Sequence, residues 1–507
     1  MNKLKSLKFL ENFSKKEKAN GKKIVLCHGD FDMLHFGHIN HFKKAKQLGD
    51  YLIISVTSDK FIQKGINRPL YKQDQRVEFL TLLSIVDFVY LDFNRTATNV
   101  ISKIRPNYYV KGTDYKVSQK KIMGVLLEEK KAVERYNGKL FFTNEESFSS
   151  SNIINNQTID KNLISALKKI KNNFSFEKIN NIIESISKLK VLIIGDTIID
   201  EYDYVSPLGK PSKENIIATL YENKELFAGG IFASINTISS FCDNVDFITT
   251  IGSQKTESNF IRQNIPKNIK KRLIYKNKFF TTKKTRFVEK DHYKIRKLFE
   301  VYNMKDKPVD KSIEKKISNY LNKNLKKYDL VIVHDYGHGL ITKKMIDILE
   351  SKSKFLCVNA QINAGNKGYN LITKYNGASY YCLDISEARM AVHDKYISNE
   401  KMLDLLFKKT GGKNITVTMG AKGSLSRKRN NTSYHMPAFS NIAVDTIGAG
   451  DAYYILSSLV LYLSKSIELA ALAGNIAGSI KIGIPGLSKK IQKTNFVNTL
   501  KTFLKTE

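Results

Sequence analysis

Two short stretches of this chain bring together residue types that can act on phosphates. In the first, His28-Gly29-Asp30-Phe31-Asp32-Met33-Leu34-His35-Phe36-Gly37-His38, two histidines stand three positions apart with Gly37 between them. An apolar strand-like run precedes this stretch and a helical one follows, so helix N-terminal amides can face an anion there. His35 and His38 can point ring N–H groups at one triphosphate and stabilise charge on its α-phosphate and on departing pyrophosphate, without a covalent intermediate. Asp30, opening the loop, can orient an acceptor or a metal, or simply close a turn. In the second stretch, Asp445-Thr446-Ile447-Gly448-Ala449-Gly450-Asp451 leads straight into the apolar run AYYILSSLVLYL. Small residues let backbone amides approach transferring phosphoryl oxygens, and a carboxylate at a helix start can take the proton of an attacking hydroxyl.

Alternating elements must position these residues. KIVLCHGDF, GHINHFKKAKQLG, YLIISVTSD, QRVEFLTLLSIV, DFVYLDF and NYYVKG alternate strand and helix patterns, which implies parallel βαβ units with both sheet faces covered. Residues 156–188 turn polar and lysine-rich, and read as a helical linker. A larger alternation then runs from KVLIIGDTIID through DLVIVHDYG, KFLCVNA, ASYYCLD and NITVTMGAKG to a helical C-terminus. The expected domains are residues 1–155 and 189–507, both α/β.

Bulk properties limit the function classes. A 507-residue chain with 42% hydrophobic residues suits two domains with packed cores rather than disorder. The net charge of +35 raises nucleic-acid binding as a class, but the lysines are spread along the whole chain and no zinc-finger, RNP or helix-turn-helix signature accompanies them. The expectation is no nucleic-acid partner. Cys27, Cys242, Cys357 and Cys382 are far apart and make no metal spacing, which fits reduced core thiols in a cytoplasmic protein. The apolar stretch from Tyr453 to Ile484 is interrupted by Lys465, Glu468 and Lys481 and reads as two buried helices, not a membrane span.

The first stretch resembles the HxGH nucleotidylyltransferase superfamily, which includes cytidylyltransferases and adenylyltransferases. Lys111-Gly112-Thr113-Asp114-Tyr115 matches its KGxDY element, Arg68-Pro69 with Gln75-Arg76 its central basic segment, and Ser149-Ser150-Ser151 its late serine-rich helix start. The resemblance covers residues 20 to 155. It implies a Rossmann-like domain with His35 and His38 catalytic, Phe31, Gly37, Lys111, Ser149, Ser150 and Ser151 at the nucleotide, and Asp30 at the acceptor. Ile153-Ile154-Asn155 stands where the family often has an arginine.

The second stretch resembles the ribokinase (PfkB) signature DTxGAGD, which implies a ribokinase-like α/β/α domain. Carried over, Asp451 is the general base and Gly448, Ala449 and Gly450 form the anion hole. Asp200, Gly229, Gly230 and Asn236 lie at the sugar, Gly420 and Gly423 beneath the ATP phosphates, and Asn475 by the adenine. Glu387 supports Mg2+ through water, in Asp384-Ile385-Ser386-Glu387 where the family has NxxE. Both domains on one chain, the KGTDYK element and Lys284-Thr285-Arg286-Phe287 are similar to bifunctional heptose 7-phosphate kinase and heptose 1-phosphate adenylyltransferase proteins, with the domain order reversed. Lys284 and Arg286 are then placed to hold a distal phosphate, or are basic residues of an exposed loop. Two departures stand out: His338 in Asp335-Tyr336-Gly337-His338-Gly339 where that family has lysine, and Asn359-Ala360-Gln361 where it has Asp-Pro-Lys.

The implied function is synthesis of a nucleotide-activated sugar, ADP-heptose, from sugar phosphate, ATP (or CTP in the N-terminal domain) and Mg2+, by a homodimer with no membrane partner. A CDP-linked product from another sugar, polyol or amino-alcohol phosphate is the alternative. A catalytically degraded nucleotide-binding regulator is a third reading.

Overall fold

The computed structural model describes residues 3–62, 69–112, 120–143, 161–211, 213, 215–276, 280–290, 295–305, 307–440, 443–484, 486–487 and 489–505. The chain divides into two compact units, Met1–Ile159 and Asp160–Lys505.

The first unit is a five-stranded, fully parallel sheet built from β1 (Ile24–Gly29), β2 (Tyr51–Thr57), β3 (Phe88–Asp92), β4 (Tyr108–Lys111) and β5 (Lys139–Phe142), in the order β3-β2-β1-β4-β5. Alternate residues feed two cores. Val25, Cys27, Leu52, Ile54 and Val56 meet Phe42, Val77 and Leu80 on one face. Ile24, Leu26, Ile53 and Tyr109 meet Leu10, Val100, Ile104 and Val133 on the other. A sheet covered on both faces needs apolar residues at consecutive positions, which is why these strands read as unbroken apolar runs. The strand order reverses at β1, between β2 and β4, and such a switch point opens a crevice beyond the strands' C-terminal ends. The histidine stretch follows β1 and Lys111 ends β4, so both border that crevice.

The second unit holds a nine-stranded sheet and a separate four-stranded one. The large sheet contains β6 (Lys190–Gly195), β9 (Asn244–Gly252), β10 (Ile269–Lys276), β13 (Leu330–Asp335), β14 (Leu356–Ala360), β15 (Tyr380–Asp384), β16 (Asn414–Thr418), β17 (Ser424–Lys428) and β18 (Tyr434–Met436), ordered β10-β9-β6-β13-β14-β15-β16-β17-β18. It is parallel except for the pairs β16–β17 and β17–β18. The small sheet, in the order β12-β11-β7-β8, is made of β7 (Thr197–Gly209), β8 (Ala218–Gly230), β11 (Thr282–Lys290) and β12 (Ile295–Asn303). The helix Ala449–Ser464 is buried along most of its length, from Ala452 to Leu461. Such an all-round apolar helix belongs inside a domain. Among the described residues, no helix is long and apolar enough to cross a membrane.

The stretch that reads as a linker in the sequence is helical, at Lys161–Asn173 and Phe176–Ser185, but from Asp160 onward it belongs to the second unit. Leu163, Leu167, Ile170, Ile179 and Ile183 are buried. The steps of four and three in the first helix and of four in the second give each helix an apolar stripe. Ser175 caps the second helix, accepting from the Lys178 amide at 3.2 Å. A C-terminal fragment beginning at residue 189 is therefore expected to melt roughly 5 °C or more below one beginning at residue 160, from the burial it loses. Equal melting temperatures by calorimetry would show that these helices contribute nothing to the unit.

Candidate active sites

In the first unit, His35 sits at the N-cap of the helix Phe36–Lys46 in extended conformation, with φ −140° and ψ 173°, and no acidic residue lies in the first turn. The helix end therefore presents uncancelled positive potential to the crevice. His38 stacks on His35, ring centroids 3.9 Å apart at 30°, and meets the edge of Phe31 at 5.6 Å. Phe31 adopts a left-handed φ of 47°. For an aromatic residue that conformation is strained and held by its surroundings. Its ring lies over Gly29, where a Cβ would come within 3.1 Å of it.

The residues beneath the loop act through structure. Arg76, wholly buried, donates to the carbonyls of Asp30, Thr57 (2.8 Å) and Tyr71 (3.1 Å) and pairs with Asp59 at 2.8 Å. It is thus a strut for the Asp30 loop rather than an open phosphate contact. Lys111 is also turned inward, its Nζ 3.2 Å from Glu129 with both side chains buried, and it donates to the His28 carbonyl at 3.4 Å. Lys111, expected at the nucleotide, is engaged in a buried ion pair in this structure. Glu129 accepts further from Tyr109 Oη (2.9 Å) and the Ala97 amide (3.1 Å). Burial alone raises the pKa of Glu129, but the Lys111 charge and these donors outweigh it and hold the group below its usual value. Burial, then Lys111, pushes both His28 and His41 down to about 4. Both are neutral at physiological pH, and they hydrogen-bond Ser55 and Thr143 at 2.9 and 2.8 Å. The expectations for Arg68, Thr113-Asp114-Tyr115 and Ser149, Ser150 and Ser151 lie outside the described residues.

In the second unit, Asp451 stands in the first turn of the helix Ala449–Ser464, whose N-cap Gly448 has φ 76°. Tyr336 Oη (3.0 Å) and Gln361 Nε2 (3.2 Å) both donate to its Oδ1. With Oδ1 held, Oδ2 is the oxygen left for a proton. Burial raises Asp451 to about 6, against these donors and the charge of Lys481. His334 Nδ1 lies 3.6 Å away, but burial lowers His334 to about 3 and leaves it neutral, so no ion pair forms. Sequence reasoning missed Tyr336 and Gln361 as partners of Asp451. Both fall in segments singled out only for departing from a motif.

Asp200 on β7 pairs with Arg286 on β11, and Arg286 also meets Glu300 at 3.2 Å. A Cβ on Gly229 would sit 1.7 Å from Asp200 Oδ2, so only glycine fits opposite that carboxylate. Gly230 begins the helix Ile231–Ile238 that carries Asn236. Lys284 is buried in β11 with its ammonium 4.8 Å from the Tyr302 ring centroid, and burial pushes its pKa down. Lys284 and Arg286 are therefore strand residues facing Asp200, and the exposed-loop alternative does not hold.

A cavity of about 400 Å³ borders the Gly448 turn, lined among others by Thr418, Gly420, Gly423, Ala449, Gly450 and Asn475. The Asn475 amide is committed to Ser424 Oγ (2.8 Å) and the Ala471 carbonyl (2.9 Å), which fixes the wall it forms. Glu387 closes a capping box with Asp384 and accepts from the amides of Asp384 (2.8 Å) and Ile362 (3.0 Å); burial raises it to about 7. Each oxygen keeps a further lone pair, which suits contact with a water of a cation carried by nucleotide phosphates. Among the described residues no group of three His, Cys, Asp or Glu could hold a metal.

The cytidylyltransferase-like family model matches residues 26–156, and the pfkB family carbohydrate kinase model matches residues 188–494. Proteins named Bifunctional protein HldE align with the N-terminal part. The one from Campylobacter fetus is 38% identical over 139 residues, 27% of this chain and 28% of its own. That from Geobacter sulfurreducens is 38% identical over 140 residues, 27% of each chain. The matched region thus spans less than a third of these relatives, and the domain order differs from theirs. A ribokinase from Thermotoga maritima superimposes at a TM-score of 0.47 with 19% identity, covering 62% of this chain and 99% of that one.

The hydrogen bond from Tyr336 lowers the Asp451 pKa. Since a base must be ionised to act, phosphoryl transfer is expected to fall as pH drops through about 6. Tyr336→Phe should move that acid limb upward by about half a unit or more. A pH–rate profile with an unmoved limb would mean that Asp451 is not the titrating base.

Proposed function

This chain belongs to the pfkB family of carbohydrate kinases, and we propose that it couples a sugar kinase to a nucleotidylyltransferase that consumes the kinase product. The observation that carries this reading is Asp451, partly buried in the first turn of its helix with one carboxylate oxygen held by two donors. In the second unit, Asp451 takes the proton of a sugar's anomeric hydroxyl as its oxygen attacks the γ-phosphorus of ATP and ADP leaves. Gly448, Ala449 and Gly450 offer amides to the transferring group. Mg2+, when bound, would neutralise polyphosphate charge, and Glu387 would hold one of its waters.

The resulting sugar 1-phosphate is the kind of nucleophile the first unit can use. One phosphate oxygen attacks the α-phosphorus of an NTP, the bond to the β-phosphate oxygen breaks, and pyrophosphate leaves. His35 and His38, at the positive end of their helix, stabilise the charge that develops. We read the sugar as heptose 7-phosphate and the product as ADP-heptose, because the N-terminal relatives are HldE proteins and the buried Lys284 with the partly buried Arg286 suits a distal phosphate. A CDP-linked product of another sugar or polyol is the second reading, favoured by the description of the N-terminal family model. The arranged His35, His38 and Asp451 speak against a degraded regulator. Four buried free cysteines suit a cytoplasmic setting.

The β7–β8 hairpin exposes Leu208, Leu220, Tyr221 and Leu226, with Glu222, Lys224 and Glu225 among them. Apolar residues mixed with both signs of charge suit a self-complementary two-fold contact, and we assign this surface to a second copy of the chain. Light scattering should give a dimer that Leu220→Asp with Tyr221→Asp converts to monomer; a wild-type monomer would contradict this.

The reading as a whole is tested by incubating the full chain with Mg2+, ATP, CTP and a panel of sugar phosphates that includes heptose 7-phosphate, with products identified by mass spectrometry. ADP-heptose is expected, His35→Ala stopping at the sugar 1-phosphate and Asp451→Asn blocking its formation. A CDP-linked product would move the account to the second reading, and no turnover of any sugar would overturn it.

A further inference from the structure

The helix Ile467–Ile482 is apolar almost throughout, yet Lys481 in its last turn is only 4% exposed. An ammonium taken out of water needs compensation. Among the described residues no carboxylate lies within ion-pair distance of it. Instead, its Nζ donates to two backbone carbonyls just past the helix end, those of Gly486 and of Ile484 at 3.4 Å.

Those carbonyls belong to a segment stitched to the phosphoryl-transfer turn. The Gly486 amide donates to Asp445 Oδ2 at 2.9 Å, and the amides of Val444 and Asp445 donate to the Ile482 carbonyl at 2.9 and 3.1 Å. The lysine stem also packs on the turn, since a Cβ at Gly448 would meet Lys481 Cε at 3.2 Å and Leu487 at 2.9 Å. Asp445 and Asp451, the ends of the motif, act on the ammonium at longer range and offset the burial that lowers its pKa to about 8. Below that pH the group is a fixed positive charge beneath the turn.

We propose that Lys481 is a positioning residue for phosphoryl transfer: a resident cation that binds the Ile484 and Gly486 carbonyls, fixes the Gly448 turn and offsets the negative charge arriving over Gly448–Gly450. It rests on the kinase reading above. A carbonyl-bound ammonium is chemically a monovalent cation, so the wild-type reaction needs no soluble one. Once the ammonium is deleted, a small cation can enter the space it leaves.

The test uses the full chain and the sugar substrate found in the panel assay. Replacing potassium or sodium with tetramethylammonium should leave the wild-type kcat unchanged. Lys481→Met should lower kcat by about tenfold to a hundredfold, with the ATP KM and melting temperature near wild type. Added ammonium or methylammonium should restore part of the loss, and tetramethylammonium none. Lys481→Arg, which keeps the charge, should retain most activity. If Lys481→Met does not fold, Lys481→Gln, which keeps donors to the carbonyls without the charge, takes its place under the same criteria. Wild-type kcat in the uncharged variant, a folded but slow variant that no small cation improves, or an arginine variant as slow as the methionine one would each overturn the proposal. A wild-type chain that releases no ADP with any sugar would remove the kinase reading as well, and so is told apart from these results.

Discussion

Keeping one partly buried carboxylate ionisable near neutral pH organises the second unit around Asp451. Burial drives the group toward its protonated form, while Tyr336, Gln361 and the Lys481 charge pull it back, leaving it at about 6. These helpers need supports of their own. Asp196, at the end of β6, accepts the amides of Tyr336, His338 and Leu340 at 3.2, 3.4 and 3.2 Å and so shapes the loop that aims Tyr336. Asp335 before it is held by Tyr375 Oη at 2.6 Å and Lys374 at 2.5 Å. His334 is kept neutral and bonded to Ser234 Oγ at 2.7 Å, so it adds no competing charge. Carboxylates and donors thus alternate outward from the helix head.

The small sheet obeys a related constraint. Asp445 accepts from Tyr202 on β7 at 2.8 Å and pairs with Lys297 on β12 at 3.3 Å. The carboxylate that opens the phosphate turn is therefore also the one that ties two strands of the small sheet to it. In the first unit the same economy appears with opposite signs, because positive groups are the ones turned inward. Arg76 holds the Asp30 loop by its carbonyls, and Lys111 is matched by Glu129. The helix end that bears His35 and His38 carries no acidic residue in its first turn and is a positive feature facing the crevice.

Legibility in the sequence followed distance along the chain. The HxGH stretch and the DTxGAGD stretch were readable because the glycines, the charged groups and the helix start are adjacent, and strands covered on both faces show as apolar runs. Arg76 was placed only in a basic segment and Lys111 at the nucleotide by family resemblance, whereas their partners Asp59 and Glu129 are brought up only by the fold. Tyr336, Gln361 and Lys481 reach the Gly448 turn from separate elements, with no shared local pattern. Interspersed lysines hid the apolar stripes of the helices Lys161–Asn173 and Phe176–Ser185. The small sheet escaped notice because strands such as TKKTRFVEK carry charges on the face that covers Asp200, where a half-buried strand would ordinarily show apolar alternation.

The central claim is that two consecutive phosphate chemistries run on one chain, and phosphorus NMR of a single reaction follows both. With heptose 7-phosphate, ATP and Mg2+, the account predicts a sugar 1-phosphate resonance that rises first and then falls as a sugar-linked diphosphate and pyrophosphate grow together. A sugar-linked diphosphate that appears with no dependence on Asp451, or a sugar 1-phosphate that the chain with intact His35 and His38 never consumes, would contradict it.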